Sequence, residues 1–210
     1  MPFVYSAQAL DSLDRTLTTD RLSVYLNVCK ADRQAAVQLY EYNTLVSEGM
    51  YGVIQPLEVT LRNSIHHVMQ TDLGHDDWYD RIVLSAPEPR TVAEAKSNIM
   101  RWGKTVTPGR VVAELTFGFW IRLVARKYEK SLWVPHLFKC FPNLKKPDRR
   151  AIFDRLDHIR NLRNRVAHHE PIFARNLQED YRQAIEALDW ICPVTAYWVR
   201  ATNSFQRRLR

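Results

Sequence analysis

Between Ala31 and Thr71 apolar side chains recur every three or four residues. They form two successive stripes, Ala35, Leu39, Tyr42, Leu45 and Val46, then Ile54, Leu57, Leu61, Ile65 and Val68. An α-helix gathers such positions on one face, whereas a strand would send alternate residues to opposite sides. A helical pattern of this length commits much of the N-terminal part of the chain to helix. Gly49, Gly52 and Pro56 interrupt it and predict a division into shorter helices, because Gly is a weak helix former and Pro a very poor one.

The same period governs most of the rest. Residues 6–18 and 20–30 predict two short helices, the second capped by Thr19 or Asp20. Residues 73–90 carry turn formers and prolines and predict a connection. Helical spacing returns at 91–102 and stops at Gly103. The segment 111–128 is apolar around most of its circumference and predicts one core helix, with Phe117, Phe119 and Trp120 as packing residues. Prolines and aromatics in 131–147 predict a short helix between turns. Asp148 then opens a helix with a buried stripe of Ile152, Leu156, Ile159, Leu162 and Val166, which ends near His169 because Pro171 disfavours helical geometry at Glu170. A last helix over 177–199, kinked at Pro193, buries Tyr181, Ile185, Leu188 and Ile191. The expectation is an all-α multi-helix bundle forming one domain over 1–210: N-terminal helices 1–72, connection 73–90, further helices 91–200, and a basic tail 201–210 ending in a mobile QRRLR.

With 46% hydrophobic residues the chain can bury one sizeable core. It has no uncharged apolar run of about 18 residues and no basic-then-apolar leader, which predicts a cytoplasmic protein with no membrane partner. Cys29, Cys140 and Cys192 are odd in number and widely spaced, so they read as core thiols rather than a disulfide or zinc framework. His75 beside Asp76 and Asp77 reads as solvated loop, and neither metal nor cofactor is expected. Lys and Arg number 30 against 23 Asp and Glu, a formal net charge of +7, and 22 of the cations are Arg. Guanidinium grips phosphate in a bidentate fork, so this excess suits an RNA or DNA partner as well as simple solubility.

One local element stands out. Arg-Asn-x-x-x-His should arise by chance about 0.03 times in a chain of this composition, yet it occurs twice. The copies are Arg62-Asn63-x-x-x-His67 and Arg163-Asn164-x-x-x-His168. The second copy lies in the last turn of the Arg-rich helix, where the helix dipole attracts positive charge. The first lies within the long apolar-striped helix and reads as a helix face or as support for the second.

Imidazole can give or take a proton near neutral pH, guanidinium stabilises extra negative charge on phosphorus, and an Asn amide can hold the imidazole or a phosphate oxygen by hydrogen bonds. The chemistry that fits is internal attack by a ribose 2′-hydroxyl on the adjacent phosphodiester, which needs no metal. On one helix Arg163 and His168 differ by about 140° in direction and about 7.5 Å along the axis, so they do not converge on one phosphate. A two-fold dimer would let Arg from one chain meet His from the other. His169, Arg160, Arg165 and Arg155, with Arg62, Asn63 and His67, are expected to bind RNA or support the site.

Three blocks resemble the Abi-like (abortive infection) proteins of bacteria, grouped with the HEPN superfamily of helical RNA-cutting domains. They are LEVTLRNSIHHVM (57–69) with Gly74 and Trp78, VVAELTFGFWIRL (111–123) with Leu132-Trp133, and HIRNLRNRVAHHEPIF (158–173). The resemblance implies an α-helical bundle and a metal-independent endoribonuclease of the toxin or antiviral type. It further implies a homodimer with a composite site, in which Arg163, Asn164 and His168 match the superfamily's catalytic element. An RNA or protein antitoxin is a further implied partner. Residue 170 is Glu, so the Tyr two places after His that marks a related toxin group modified by a nucleotidyltransferase is absent. Some members of the superfamily bind RNA without cutting it, and a non-catalytic RNA-binding or protein-interaction module of the same fold is the other reading.

Overall fold

The computed structural model describes residues 3–205, and the basic run 206–210 lies outside them. Among the described residues every regular element is helical. In chain order these are α1 (Ala7–Leu17), α2 (Thr19–Val28), α3 (Arg33–Leu73), α4 (Glu88–Arg101), α5 (Pro108–Glu114), α6 (Phe117–Leu123), α7 (Arg149–Ala167), α8 (Leu177–Ile191) and α9 (Pro193–Thr202), with short turns of 3₁₀ or π helix between them. The all-α bundle expected from periodicity is what the chain forms. No helix among the described residues is long and apolar enough to cross a membrane.

The spine is α3, an unbroken helix of 41 residues and thus about 60 Å long. It packs against α2, α6, α7, α8 and α9. The expected division at Gly49, Gly52 and Pro56 does not occur, and packing supplies the reason. Met50, Val53, Ile54, Leu57 and Leu61, on both sides of Pro56, are fully buried. At about 1.5–3 kcal/mol for each buried side chain, they outweigh the roughly 3 kcal/mol that proline costs inside a helix. The glycines serve close approach instead. A Cβ on Gly49 would stand 3.1 Å from the Cα of Phe205, and one on Gly52 would stand 2.6 Å from Asn203 Nδ2. The segment after α9 thus lies directly on α3, where Asn203 Nδ2 donates to the Gly49 carbonyl at 3.0 Å. Leu45, expected in the first stripe, is exposed, and Ala36 and Val37 are buried instead.

Local capping explains the other departures. Thr18, not Thr19 or Asp20, caps α2 by accepting from the Arg21 N–H. The single core helix expected over 111–128 is two helices, because Thr116 Oγ1 accepts from the Phe119 N–H and starts α6 anew. Phe117, Phe119 and Trp120 are buried as expected, and Trp120 Nε1 donates to the Leu115 carbonyl at the break. Asp148 caps α7 through the N–H groups of Arg150 and Ala151. Pro193 ends the preceding helix rather than kinking it, so α8 and α9 are separate. Cys140 is buried, whereas Cys29 and Cys192 are half-buried, and all three are free thiols.

Candidate functional site

Helix α7 lies between α3, α6 and α8, and its cations divide by face. Ile152, Leu156, Ile159 and Leu162 seal its inner side. Arg155 turns toward α8, where Nη1 pairs with Glu186 at 2.8 Å and the guanidinium stacks on Trp190 at 5.1 Å. His158 shares that side, with Nε2 2.7 Å from Asp180 Oδ1 and Arg175 completing the group. Burial alone would raise the Asp180 carboxyl, but the hydrogen bonds from Arg175 and His158 outweigh it and hold it below the usual range. These groups tie α7 to α8. Arg155, expected at the RNA surface, is committed to packing.

The other side of α7 meets α6 at a cavity of about 270 Å³. Arg160, Arg163 and Asn164 line it from α7, and Thr116, Phe117, Gly118 and Arg122 from α6 and its N-cap. The α5/α6 break is what brings Gly118 here: a Cβ at that position would stand 3.3 Å from Arg122 Nη1 and 3.7 Å from Arg160 Cδ. Arg122 is anchored from behind, with Nε on Glu88 Oε1 at 2.7 Å. Glu88 is fully buried, and burial would raise its carboxyl. Hydrogen bonds from Lys127, Tyr128 and Arg122 nevertheless hold it below its ordinary value. Arg160 pairs with Asp157 at 2.7 Å, while its buried Nε makes no hydrogen bond among the described residues. Among the described residues Arg163 reaches only Glu58 of α3, at 3.6 Å, beyond hydrogen-bonding range. Three guanidinium groups therefore share one small concavity, and Arg163 is the least engaged of them.

His168 is the C-cap of α7 and is exposed, one turn beyond Asn164 but outside the arginine cavity's lining. His169 adopts a left-handed backbone (φ 57°), and Arg21 of α2 donates to its carbonyl at 2.8 Å. The residue lines a different cavity, between α3 and the end of α7. Arg165 is exposed beside Glu170 and the Pro171 carbonyl.

The first copy of the motif lies on α3. Arg62 Nε donates to Asn63 Oδ1 at 3.1 Å, and His67 is exposed. Neighbouring His66 accepts from Trp78 Nε1 at 3.0 Å, and burial pushes its ring below the ordinary value, against the pull of Asp76. Glu58, one turn before Arg62, is the residue that faces Arg163, so the two copies border each other across the α3–α7 contact. Among the described residues no group of three or more His, Cys, Asp or Glu side chains stands close enough to hold a metal ion.

Sequence reasoning missed Arg122 and Glu88. The available signal was a lone cation, Arg122, in the otherwise apolar helix FGFWIRL. Fold and site together define an all-α bundle with an arginine-lined cavity beside an exposed histidine. No family model, no curated protein and no solved structure matches the chain.

Proposed function

We propose that the protein is an endoribonuclease of the Abi-like, HEPN-superfamily type, acting in the cytoplasm as a toxin or antiviral defence factor. The observation that supports it is the gathering of Arg122, Arg160, Arg163 and Asn164 around one cavity, with His168 exposed a single turn further along α7. In this reading the arginines hold a scissile phosphodiester, and they stabilise the added negative charge when the ribose 2′-oxygen attacks phosphorus. A neutral imidazole takes the 2′-hydroxyl proton and an imidazolium protonates the departing 5′-oxygen, which leaves a 2′,3′-cyclic phosphate. Because His168 stands outside its own chain's cavity, a two-fold dimer supplies the ring from the partner. An RNA or protein antitoxin would restrain the activity in the host.

The test uses purified protein, RNA and a chelator, with 2′,3′-cyclic phosphate ends as the readout. Wild type is expected to cleave, and His168→Ala to lose about 10²–10⁴-fold in rate while still binding RNA. Equal cleavage by the variant, or none by wild type, rejects the catalytic assignment. In cells, expression is expected to arrest growth and Arg163→Ala to relieve the arrest.

The second reading is an RNA-binding or protein-interaction module of the same fold without turnover. The position of His168 outside the arginine cavity favours it, and RNA binding without cleavage in the same assay would select it.

A further inference from the structure

The larger cavity beside α7, of about 420 Å³, has features the phosphate-gripping reading does not use. It lies between the N-terminal half of α3 and the end of α7, and Tyr40, Asn43, Ser47, Tyr51, Ala167 and His169 are among its lining. Its volume falls within the roughly 300–1,000 Å³ typical of ligand sites. Tyr51 is half exposed and lines the cavity, so its ring is accessible to a flat partner.

Asn43 is 5% exposed, and its orientation is fixed. Oδ1 accepts from the Ile172 N–H at 2.7 Å and the Phe173 N–H at 3.1 Å, which assigns oxygen and nitrogen of the amide without ambiguity. Nδ2 makes no hydrogen bond among the described residues, and Asn43 lines the cavity. That nitrogen is not among the sealed polar atoms of the described residues, so this donor is reached from the cavity side, where an acceptor can meet it. A slot with a mostly apolar wall, a half-exposed tyrosine and one donor of fixed orientation suits an aromatic ring bearing an acceptor atom.

Position links this slot to the arginines. Ala167 lines it and Arg163 and Asn164 line the arginine cavity, within about one turn of α7. Along α3, Tyr51 and Glu58 lie two turns apart on the same face, and Glu58 is the residue facing Arg163.

We infer that this cavity is a nucleobase subsite: a base of single-stranded RNA next to the phosphate held by the arginines stacks on Tyr51 and accepts a hydrogen bond from Asn43 Nδ2. The inference rests on the RNA reading of the arginine cavity, and it makes the substrate a single strand with an unstacked base.

The experiment compares binding of a short oligouridylate with that of an abasic ribose-phosphate chain of equal length. Three proteins are used: wild type, Tyr51→Ala and Asn43→Asp. Asn43→Asp keeps an oxygen for the Ile172 and Phe173 N–H groups and replaces only the donor, so the fold's own bonds survive. Dividing each protein's oligouridylate affinity by its abasic affinity cancels the added charge. Wild type is expected to favour oligouridylate by about tenfold or more, and both variants to lose most of that preference. A preference unchanged in both folded variants, or absent in wild type while both probes bind, overturns the base subsite and leaves the RNA reading standing. Failure of both probes to bind wild type overturns the two together.

Discussion

Arg163 and Glu88 are both charged residues near the arginine cavity, yet their surroundings give them opposite roles. Arg163 has one loose, partly exposed ion pair with Glu58, and pairs of that kind contribute about 0–1 kcal/mol. Arg163→Ala is therefore expected to leave the melting temperature nearly unchanged. It should weaken RNA binding and reduce the slope of log affinity against log salt by about one, as titration at several ionic strengths would read. Glu88 is buried under Arg122, Lys127 and Tyr128, so Glu88→Gln strands two cations that have no other close anion among the described residues. A loss of about 3 kcal/mol or more in urea unfolding is expected, and a loss below 1 kcal/mol would contradict the anchoring role. The motif residues Arg163, Asn164 and His168 were legible in the sequence because a helix fixes their relation locally. Arg122 with Glu88, and Asn43 with Ile172, were not, since each pairing joins segments far apart in the sequence and no periodicity encodes which distant groups will meet.

At the scale of elements, α3 shows where periodicity is sufficient and where it fails. The apolar stripe located the helix, but Gly and Pro suggested breaks that long-range packing overrides. What the sequence did not reveal is that Asn203 and Phe205 return to fill the space the two glycines leave. Gly49→Ala gains about 1 kcal/mol of helix propensity but drives a methyl into the Phe205 backbone, a clash that costs about 1–3 kcal/mol. Thermal unfolding should show a net loss. Gly52→Ala meets only the movable Asn203 amide, so its propensity gain and the lost hydrogen bond nearly cancel, and a melting temperature close to wild type is expected. The α5/α6 break had a local sign, Thr116 ahead of an apolar turn, which the surrounding hydrophobic run concealed.

At the scale of the whole molecule, pH links the core to the surface. The His66 ring is lowered from 6.5 in the folded state, mainly by burial, and its neutral form accepts from Trp78. Below pH 6.5 the unfolded chain therefore binds a proton that the folded chain resists, and stability falls from there down to the folded value. Urea midpoints measured across pH 7.5 to 5 should show this decline, and His66→Gln, which keeps an acceptor for the indole, should flatten it. At lower pH the Asp180 carboxyl, held down by Arg175 and His158, adds a second loss as pH falls through its folded value.

The contact of Asn203 and Phe205 with α3 also governs how stiff the spine is beside Tyr51. Two glycines and a proline within eight residues form a natural hinge, splinted by one aromatic ring and one amide. Lifting that splint would let the long rod flex at the edge of the tyrosine-lined cavity, so the alignment of the two halves of α3 depends on a few residues far away in the chain.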